Sequence, residues 1–293
     1  MSLNLNRRHF LGTSAAVALG AVASSLPAAE EKKRPKLRIA VKHSMIGIKG
    51  DELAKMELLK KVGFQGVEIG SPSEIDLPAL KAACEKTGIV MHGSIGSLHW
   101  SHPLSDPNPE VRAKGLEGLK TSIRDAHFFG AETALLVPGV VKDGVTYEQC
   151  FERAQTEIKK ALPLAEELKV KIAIETVWNN FITSPEQMID FVDSCNSPWV
   201  AAYFDCSNML KYKVPSETWI RKLGKRLVKF DFKGYHMEKS WCSIGDGSEN
   251  WPEILTALAE IGYNGWATSE VGGGGEEVLA DIAARMKKVL ELA

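Results

Sequence analysis

Val170-Lys171-Ile172-Ala173-Ile174-Glu175, then Thr183-Ser184-Pro185-Glu186 opening a helix-period segment over 185–194, then Val200-Ala201-Ala202-Tyr203-Phe204-Asp205: this stretch decides the fold. Two short runs rich in aliphatic and aromatic residues flank one amphipathic segment, and each run closes on a carboxylate. A capping residue followed by proline at the first helical position marks where the helix begins. Strand, helix, strand in that order is a parallel βαβ unit, because the helical crossover lets the second strand run in the direction of the first. Alternation along the strand assigns its faces. Ile172 and Ile174 pack outward against helices, so Lys171, Ala173 and Glu175 point to the other side of the sheet.

The unit recurs in both directions along the chain. Strands are expected over 37–42, 66–69, 89–92, 133–137, 170–175, 200–205, 227–232 and 265–270. Helix-period segments follow over 51–62, 77–87, 109–129, 148–168, 185–194, 251–261 and 276–292, with a weaker one at 216–223. Gly63, Gly88, Gly130 and Gly262 stand just past helix ends, where a left-handed residue is wanted, and Pro163 predicts a kink or break within its helix. Eight such units in about 260 residues is the count of a (β/α)8 TIM barrel. A doubly wound sheet would show fewer strands and a glycine-rich phosphate turn; the run Gly272 to Gly275 lacks that spacing and reads as a flexible loop. A single α/β domain over 37–293 is expected.

Composition agrees with this and removes other classes. The 293 residues are 44% hydrophobic and 25% charged, with a formal charge of −1, as in ordinary soluble globular proteins. Lysine and arginine (36) do not exceed aspartate and glutamate (37), so no positive field is available to hold a phosphate backbone, and nucleic acid is not an expected partner. Residues 1–29 stand apart: Asn6-Arg7-Arg8-His9-Phe10-Leu11, an uncharged run over 12–26, then Pro27-Ala28-Ala29. That order is a twin-arginine-type export signal, with 30–36 as a linker. Cleavage would remove two arginines and no acid, giving a periplasmic or exported protein of charge −3 with no stable membrane association. The five cysteines include no C-x-x-C pair, so neither a zinc knuckle nor a disulfide framework is legible.

In a barrel the strand ends face the active-site mouth. Here those positions are His43, Glu68, His92, Pro138, Glu175, Asp205, Asp231 and Glu270. Glu175, Asp205, Asp231 and Glu270 come from four consecutive strands, and adjacent strands lie about 4.8 Å apart. Four converging carboxylates repel one another unless a cation lies among them. Ion pairs with Lys171, Lys229 or Lys233 are one answer and a divalent metal is the other. For the whole set the metal is favoured, and an oxygen-rich site suits Mn²⁺ or Mg²⁺ ahead of Zn²⁺ or Co²⁺. Glu68, His92, Asn208 and Lys233 are expected to bind substrate, with His236 a further candidate in the loop after the seventh strand. His99 and Trp100 lie in the loop after the third strand, where an aromatic ring can stack on a sugar.

The stretches Lys171-Ile-Ala-Ile-Glu-Thr, Val200-Ala-Ala-Tyr-Phe-Asp-Cys-Ser-Asn, Leu227-Val-Lys-Phe-Asp-Phe-Lys and Gly262-Tyr-Asn-Gly-Trp-Ala-Thr-Ser-Glu resemble the xylose isomerase-like barrel superfamily of sugar and sugar-phosphate isomerases and epimerases. The resemblance implies a divalent metal held by Glu175, Asp205 and Glu270, with Asp231 standing where the family has a histidine. Asn208 likewise replaces a frequent histidine. It also implies that Glu175 and Glu270 transfer protons next to a carbonyl on a metal-chelated sugar. An exported protein meets few sugar phosphates, so a non-phosphorylated sugar or glycoside is the expected substrate. Alternatives on the same site are a metal-dependent lyase or hydrolase acting on 3-keto-glycosides, and a non-catalytic periplasmic sugar-binding protein. An endonuclease, which shares the superfamily, is disfavoured by the acidic charge and few histidines. Homo-oligomer formation is left open.

Overall fold

In the computed structural model, which describes residues 34–142 and 144–291, ten strands and eight helices alternate. The barrel strands are β1 (Arg38–Lys42), β2 (Gly66–Ser71), β3 (Val90–Gly96), β4 (Thr133–Leu136), β5 (Lys171–Glu175), β6 (Val200–Asp205), β7 (Leu227–Phe232) and β10 (Trp266–Ser269). β8 (Tyr235–His236) and β9 (Ser240–Trp241) form a small antiparallel hairpin after β7. The eight barrel strands are all parallel and close in the order β1-β10-β7-β6-β5-β4-β3-β2. The helices are α1 (Glu52–Val62), α2 (Leu77–Thr87), α3 (Pro109–Phe129), α4 (Tyr147–Leu168), α5 (Pro185–Ser194), α6 (Ser216–Leu223), α7 (Trp251–Glu260) and α8 (Glu276–Leu290). The expected (β/α)8 architecture is present as a single domain. The stretch over 1–29 on which an export signal is expected lies outside the described residues.

Alternation does what the sequence requires of it. Ile172, Ile174, Phe204, Phe230 and Phe232 belong to the main core between barrel and helices, whereas Leu135, Ala173 and Tyr203 form a small separate cluster inside the barrel. Ser184 caps α5 through its side chain, and Gly63, Gly88, Gly130 and Gly262 all take positive φ. Among the described residues no helix is long and apolar enough to cross a membrane, and all five cysteines are free.

Three expectations need correction. α4 runs through Pro163 without a break. Pro163 and Lys159, whose carbonyl loses its helical partner, are both exposed, so water can replace the missing bond. The Gly272 to Gly275 run is not a free loop: Gly47 N–H donates to the Gly274 carbonyl (2.8 Å) and Gly274 N–H to that of Met45 (3.0 Å). A Cβ on Gly273 would stand 2.2 Å from the Met45 carbonyl oxygen, so glycine there serves close approach and closes the β10–β1 side of the mouth. Finally, β2 and β3 continue beyond 69 and 92. Their ladder pairs Glu68 with Gly93 and runs on to Ser71 with Gly96, with a bulge at Val67/Glu68. The missing Cβ of Gly93 leaves room for the Glu68 carboxylate, to which a Cβ would approach within 2.5 Å.

Candidate functional site

β5, β6, β7 and β10 bring their carboxylates together at the mouth. One oxygen from each of Glu175, Asp205, Asp231 and Glu270 lies within 4.8 Å of the other three. Two lysines stand among them. Lys42 Nζ lies 2.8 Å from Glu270 Oε1 and 3.0 Å from Asp231 Oδ2; Lys233 Nζ lies 2.5 Å from Glu270 Oε2 and 3.2 Å from Asp205 Oδ2. The backbone N–H groups of Ser207 and Asn208 hold the other Asp205 oxygen at 2.8 and 2.7 Å. Tyr203 donates to Asp231 Oδ1 at 2.6 Å, with Glu68 Oε2 2.9 Å from the same hydroxyl.

Glu175 differs from the others. Its side chain is buried and lines the cavity, and among the described residues no side chain forms a hydrogen bond or close ion pair with its carboxylate. Burial raises its pKa well above the usual carboxylate range, with the Lys42 charge only partly opposing the rise. Burial also acts upward on Glu270, but Lys42 and Lys233 outweigh it and hold that carboxyl down at about 2. Asp231, completely enclosed, is pushed up to about 8 by burial despite Lys42. The mouth thus presents one unpaired carboxylate of high proton affinity and, three strand steps round the barrel, one kept ionised by two ammonium groups.

The donor set fits a divalent cation. Opposed oxygens around an ion with bonds of about 2.1 to 2.4 Å are roughly 4.2 to 4.8 Å apart, and the four oxygens here lie within 4.8 Å of one another. A cation among the four carboxylates would offset the burial that raises the proton affinity of Glu175 and Asp231. The buried Asp205 Oδ2 and Asp231 Oδ2 accept no aligned hydrogen bond even though an ammonium lies close to each.

The structure brings some of the predicted substrate ligands to this cavity and not others. A space of about 400 Å³ is lined by Glu68, Glu175, Asn208, Lys233 and Glu270, with Ile95, Val177 and the rings of His99, Trp100, Trp178 and Trp241 above them. Asn208 accepts from Lys233 (3.3 Å) and donates to the Thr176 carbonyl (2.9 Å). Glu68 is only 1% exposed and forms the floor. His92 is not at the mouth. Because β3 extends four residues past it, its ring lies inside the barrel, stacked on Trp266 (4.4 Å) and 2.5 Å from Lys229 Nζ. His236 is also absent from the cavity; its Nδ1 accepts the backbone N–H groups of Glu238 and Lys239 within its own loop. Of the lysines weighed as partners, Lys233 pairs at the mouth, Lys229 serves the barrel interior, and Lys171 opens β5 at the opposite end. Lys42 was not anticipated. The signal was available, since Ile39 and Val41 face the helices and so turn Ala40 and Lys42 inward.

His99 gives the cavity wall a pH signature. Its Nδ1 accepts the Val137 N–H at 3.3 Å, and burial lowers its pKa to about 4. Between that value and about 6.5, only the unfolded chain takes the proton, so stability falls as pH drops through this window and the loss is complete below it. The loss attributable to His99 is on the order of 3 kcal/mol. Urea unfolding of the wild type and of His99→Asn, which keeps an acceptor for Val137, should diverge by that amount between pH 7 and 4; parallel curves would dismiss the assignment.

Eight parallel strands, an outer ring of helices and a charged, aromatic-walled mouth at their C-terminal ends define a (β/α)8 barrel with a small-molecule site. The chain belongs to the xylose isomerase-like TIM barrel family, which it matches over residues 56–289. It is 26% identical over 168 residues to an L-ribulose-5-phosphate 3-epimerase of Escherichia coli, covering 54% of this chain and 59% of that protein. It is 26% identical over 230 residues to a D-psicose 3-epimerase of Ruminiclostridium cellulolyticum, covering 73% of this chain and 76% of the relative. Its fold is similar to that of D-psicose 3-epimerase from Clostridium cellulolyticum H10 (TM-score 0.72, 20% identity, 87% and 99% of the two chains). It is also similar to 3-keto-D-glucoside 4-epimerase from E. coli (TM-score 0.73, 13% identity, 87% and 99%).

Proposed function

We propose that this protein is a divalent-metal-dependent sugar epimerase or isomerase, moving a proton at the carbon next to a carbonyl of a non-phosphorylated sugar. The observation that carries the reading is Glu175, a buried carboxylate facing the cavity with no partner of its own and a raised proton affinity. A group so placed holds a proton in the metal-free protein and, once ionised beside a bound cation, would be a strong enough base to take one from carbon. The names of the relatives point to the same reaction class.

Glu175, Asp205, Asp231 and Glu270 would hold the metal, Mn²⁺ or Mg²⁺ by the hardness of the donors. Bound there, it would supply Lewis-acid stabilisation of the charge that develops on the substrate oxygen. The chain's own groups do the rest. Glu175 takes the proton. Lys42 and Lys233 hydrogen-bond the carbonyl and adjacent hydroxyl. A substrate oxygen that draws either ammonium away from Glu270 raises that carboxyl's affinity for a proton, making it the second transfer group. Asn208 orients a hydroxyl. Among the described residues no arginine lines the cavity, and both lysines at its floor are engaged by carboxylates, which favours an unphosphorylated ligand. The arginine pair near the start of the chain supports export to the periplasm, where such sugars are met.

The test is incubation of Mn²⁺-loaded protein with D-fructose, D-psicose, D-tagatose and L-ribulose in D₂O, followed by NMR. An epimer or isomer carrying deuterium next to the carbonyl is expected from at least one. Absence of both exchange and new sugar across the panel rejects the proposal.

A further inference from the structure

Below the charged floor a chain of buried polar groups runs from the mouth into the barrel. Asp205 and Asp231 are both fully buried, and each has one carboxylate oxygen tied down and one that accepts no aligned hydrogen bond. For Asp205 the tie is backbone: Oδ1 accepts the N–H groups of Ser207 and Asn208. For Asp231 it is a side chain, the Tyr203 hydroxyl, 2.6 Å from Oδ1. Tyr203 is itself completely buried and packs with Leu135 and Ala173 inside the barrel, so its ring has no room to carry the hydroxyl elsewhere. The same hydroxyl lies 2.9 Å from Glu68 Oε2. A phenol has one hydrogen to give, and two carboxyl oxygens lie within bonding distance of it.

An aspartate that ligates a cation is ionised, so beside a bound ion Tyr203 gives its hydrogen to Asp231 and its oxygen is left to accept one. Glu68 is the group in place to donate it. Its side chain is wholly enclosed, and Oε1 accepts no hydrogen bond. The nearest ammonium, Lys229 Nζ, lies 3.9 Å from Oε1 and is held instead by His92, with Nδ1 at 2.5 Å and the carbonyl at 2.7 Å. A bare oxygen in such surroundings is cheaper on a neutral carboxyl than on a carboxylate, and burial raises the proton affinity of Glu68 in the same sense. From this hydrogen count we infer that Tyr203 is the positioning residue of the metal site: it accepts from a protonated Glu68 and donates to Asp231 Oδ1, which leaves Oδ2 as the oxygen this aspartate presents to a cation. Backbone amides do for Asp205 what Tyr203 does for Asp231. Tyr203 can hold this role only if a cation binds among the four carboxylates, so the assignment rests on the proposed metal.

The closing experiment measures metal affinity rather than turnover. Mn²⁺ binding is followed by titration calorimetry on the full chain, on Tyr203→Phe, on Asp231→Ala and on the double variant, with melting in EDTA to show that each is folded. Tyr203→Phe keeps the ring and removes the hydroxyl, and it should weaken Mn²⁺ binding by about 10- to 100-fold, the range for losing a partner that orients a ligand. In the Asp231→Ala background the same change should cost no more than about twofold, because the two effects run through one contact. A general loosening of the barrel would instead weaken binding in both backgrounds. Glu68→Gln retains an N–H to give to Tyr203 and should bind Mn²⁺ like the wild type, whereas Glu68→Leu, which offers none, should bind it more weakly. That pair of variants carries the test if Tyr203→Phe does not fold. Unchanged affinity in Tyr203→Phe, an equal loss with and without Asp231, or equal affinities in Glu68→Gln and Glu68→Leu overturns the inference and leaves the proposed metal standing. A wild type that binds no Mn²⁺ removes both.

Discussion

Glu175→Gln should reduce turnover by about 10²- to 10⁴-fold, the range expected when a positioned proton-transfer group is lost. The same change should make the metal-free protein more stable. Glu175 is buried without a partner, and its folded-state pKa is raised by burial. An acid with a raised folded pKa costs stability as pH rises above its unfolded value, because the unfolded chain gives up the proton more readily. Glutamine has the same shape and no proton to lose. The gain in melting temperature should therefore be small near pH 4 and increase toward pH 8. Glu270→Gln should behave oppositely in stability: it removes the shared partner of Lys42 and Lys233, so the cost builds as pH rises from about 2 to about 4.5 and is fully present above that. Rate measurements with a sugar that the NMR panel identifies, paired with thermal unfolding in EDTA across this pH range, check both signs. An active Glu175→Gln, or one destabilised at pH 8, would show that this carboxylate is structural.

The barrel was legible because its signals are local. Ile172 and Ile174, or Phe230 and Phe232, state by alternation which face meets a helix, and eight repetitions leave little freedom in topology. The convergence of Glu175, Asp205, Asp231 and Glu270 followed from the same parity. What was lost depends on register between strands, which no strand states alone. His92 looks like a strand end because Gly93 and Gly96 are poor strand formers. Pairing with β2 carries the strand four residues past it, with His92 the unpaired extra residue opposite the Val67–Glu68 step, so its ring lies below the mouth. His236 failed for another reason, since a loop side chain is free to cap its own backbone. Lys42 was hidden by convention. His43 follows the strand and takes the end position, while the inward parity of Lys42 is set by Ile39 and Val41 on the helix side. The aromatic wall was half visible, with Trp100 placed in a mouth loop but the cavity it shares with Trp178 and Trp241 set by tertiary folding.

Lys42→Met should destabilise the metal-free protein more than any other single change at the mouth except loss of its partners. Lys42 Nζ is nearly enclosed and touches both Asp231 and Glu270; methionine fills the same space without charge. Breaking one side of a buried ion pair costs about 3–5 kcal/mol, because the remaining charge has no water to replace its partner. For a chain of this size that corresponds to a fall of roughly 10 °C in melting temperature. Asp231 offers a partial escape. Its proton affinity is already raised by burial, and without Lys42 it can take up a proton and lose its charge, so the penalty should shrink at low pH and grow toward pH 8. A divalent cation offers the other escape. With Lys42 gone, the four carboxylates face only one ammonium, and Mn²⁺ should bind more tightly to the variant and restore more of its melting temperature than it adds to the wild type. Calorimetric unfolding of both proteins in EDTA and in excess Mn²⁺ reads these effects without any substrate. Should Mn²⁺ stabilise the wild type as much as Lys42→Met, the ammonium and the metal do not share one electrostatic well, and the lysine belongs to the substrate rather than to the charge balance of the carboxylates.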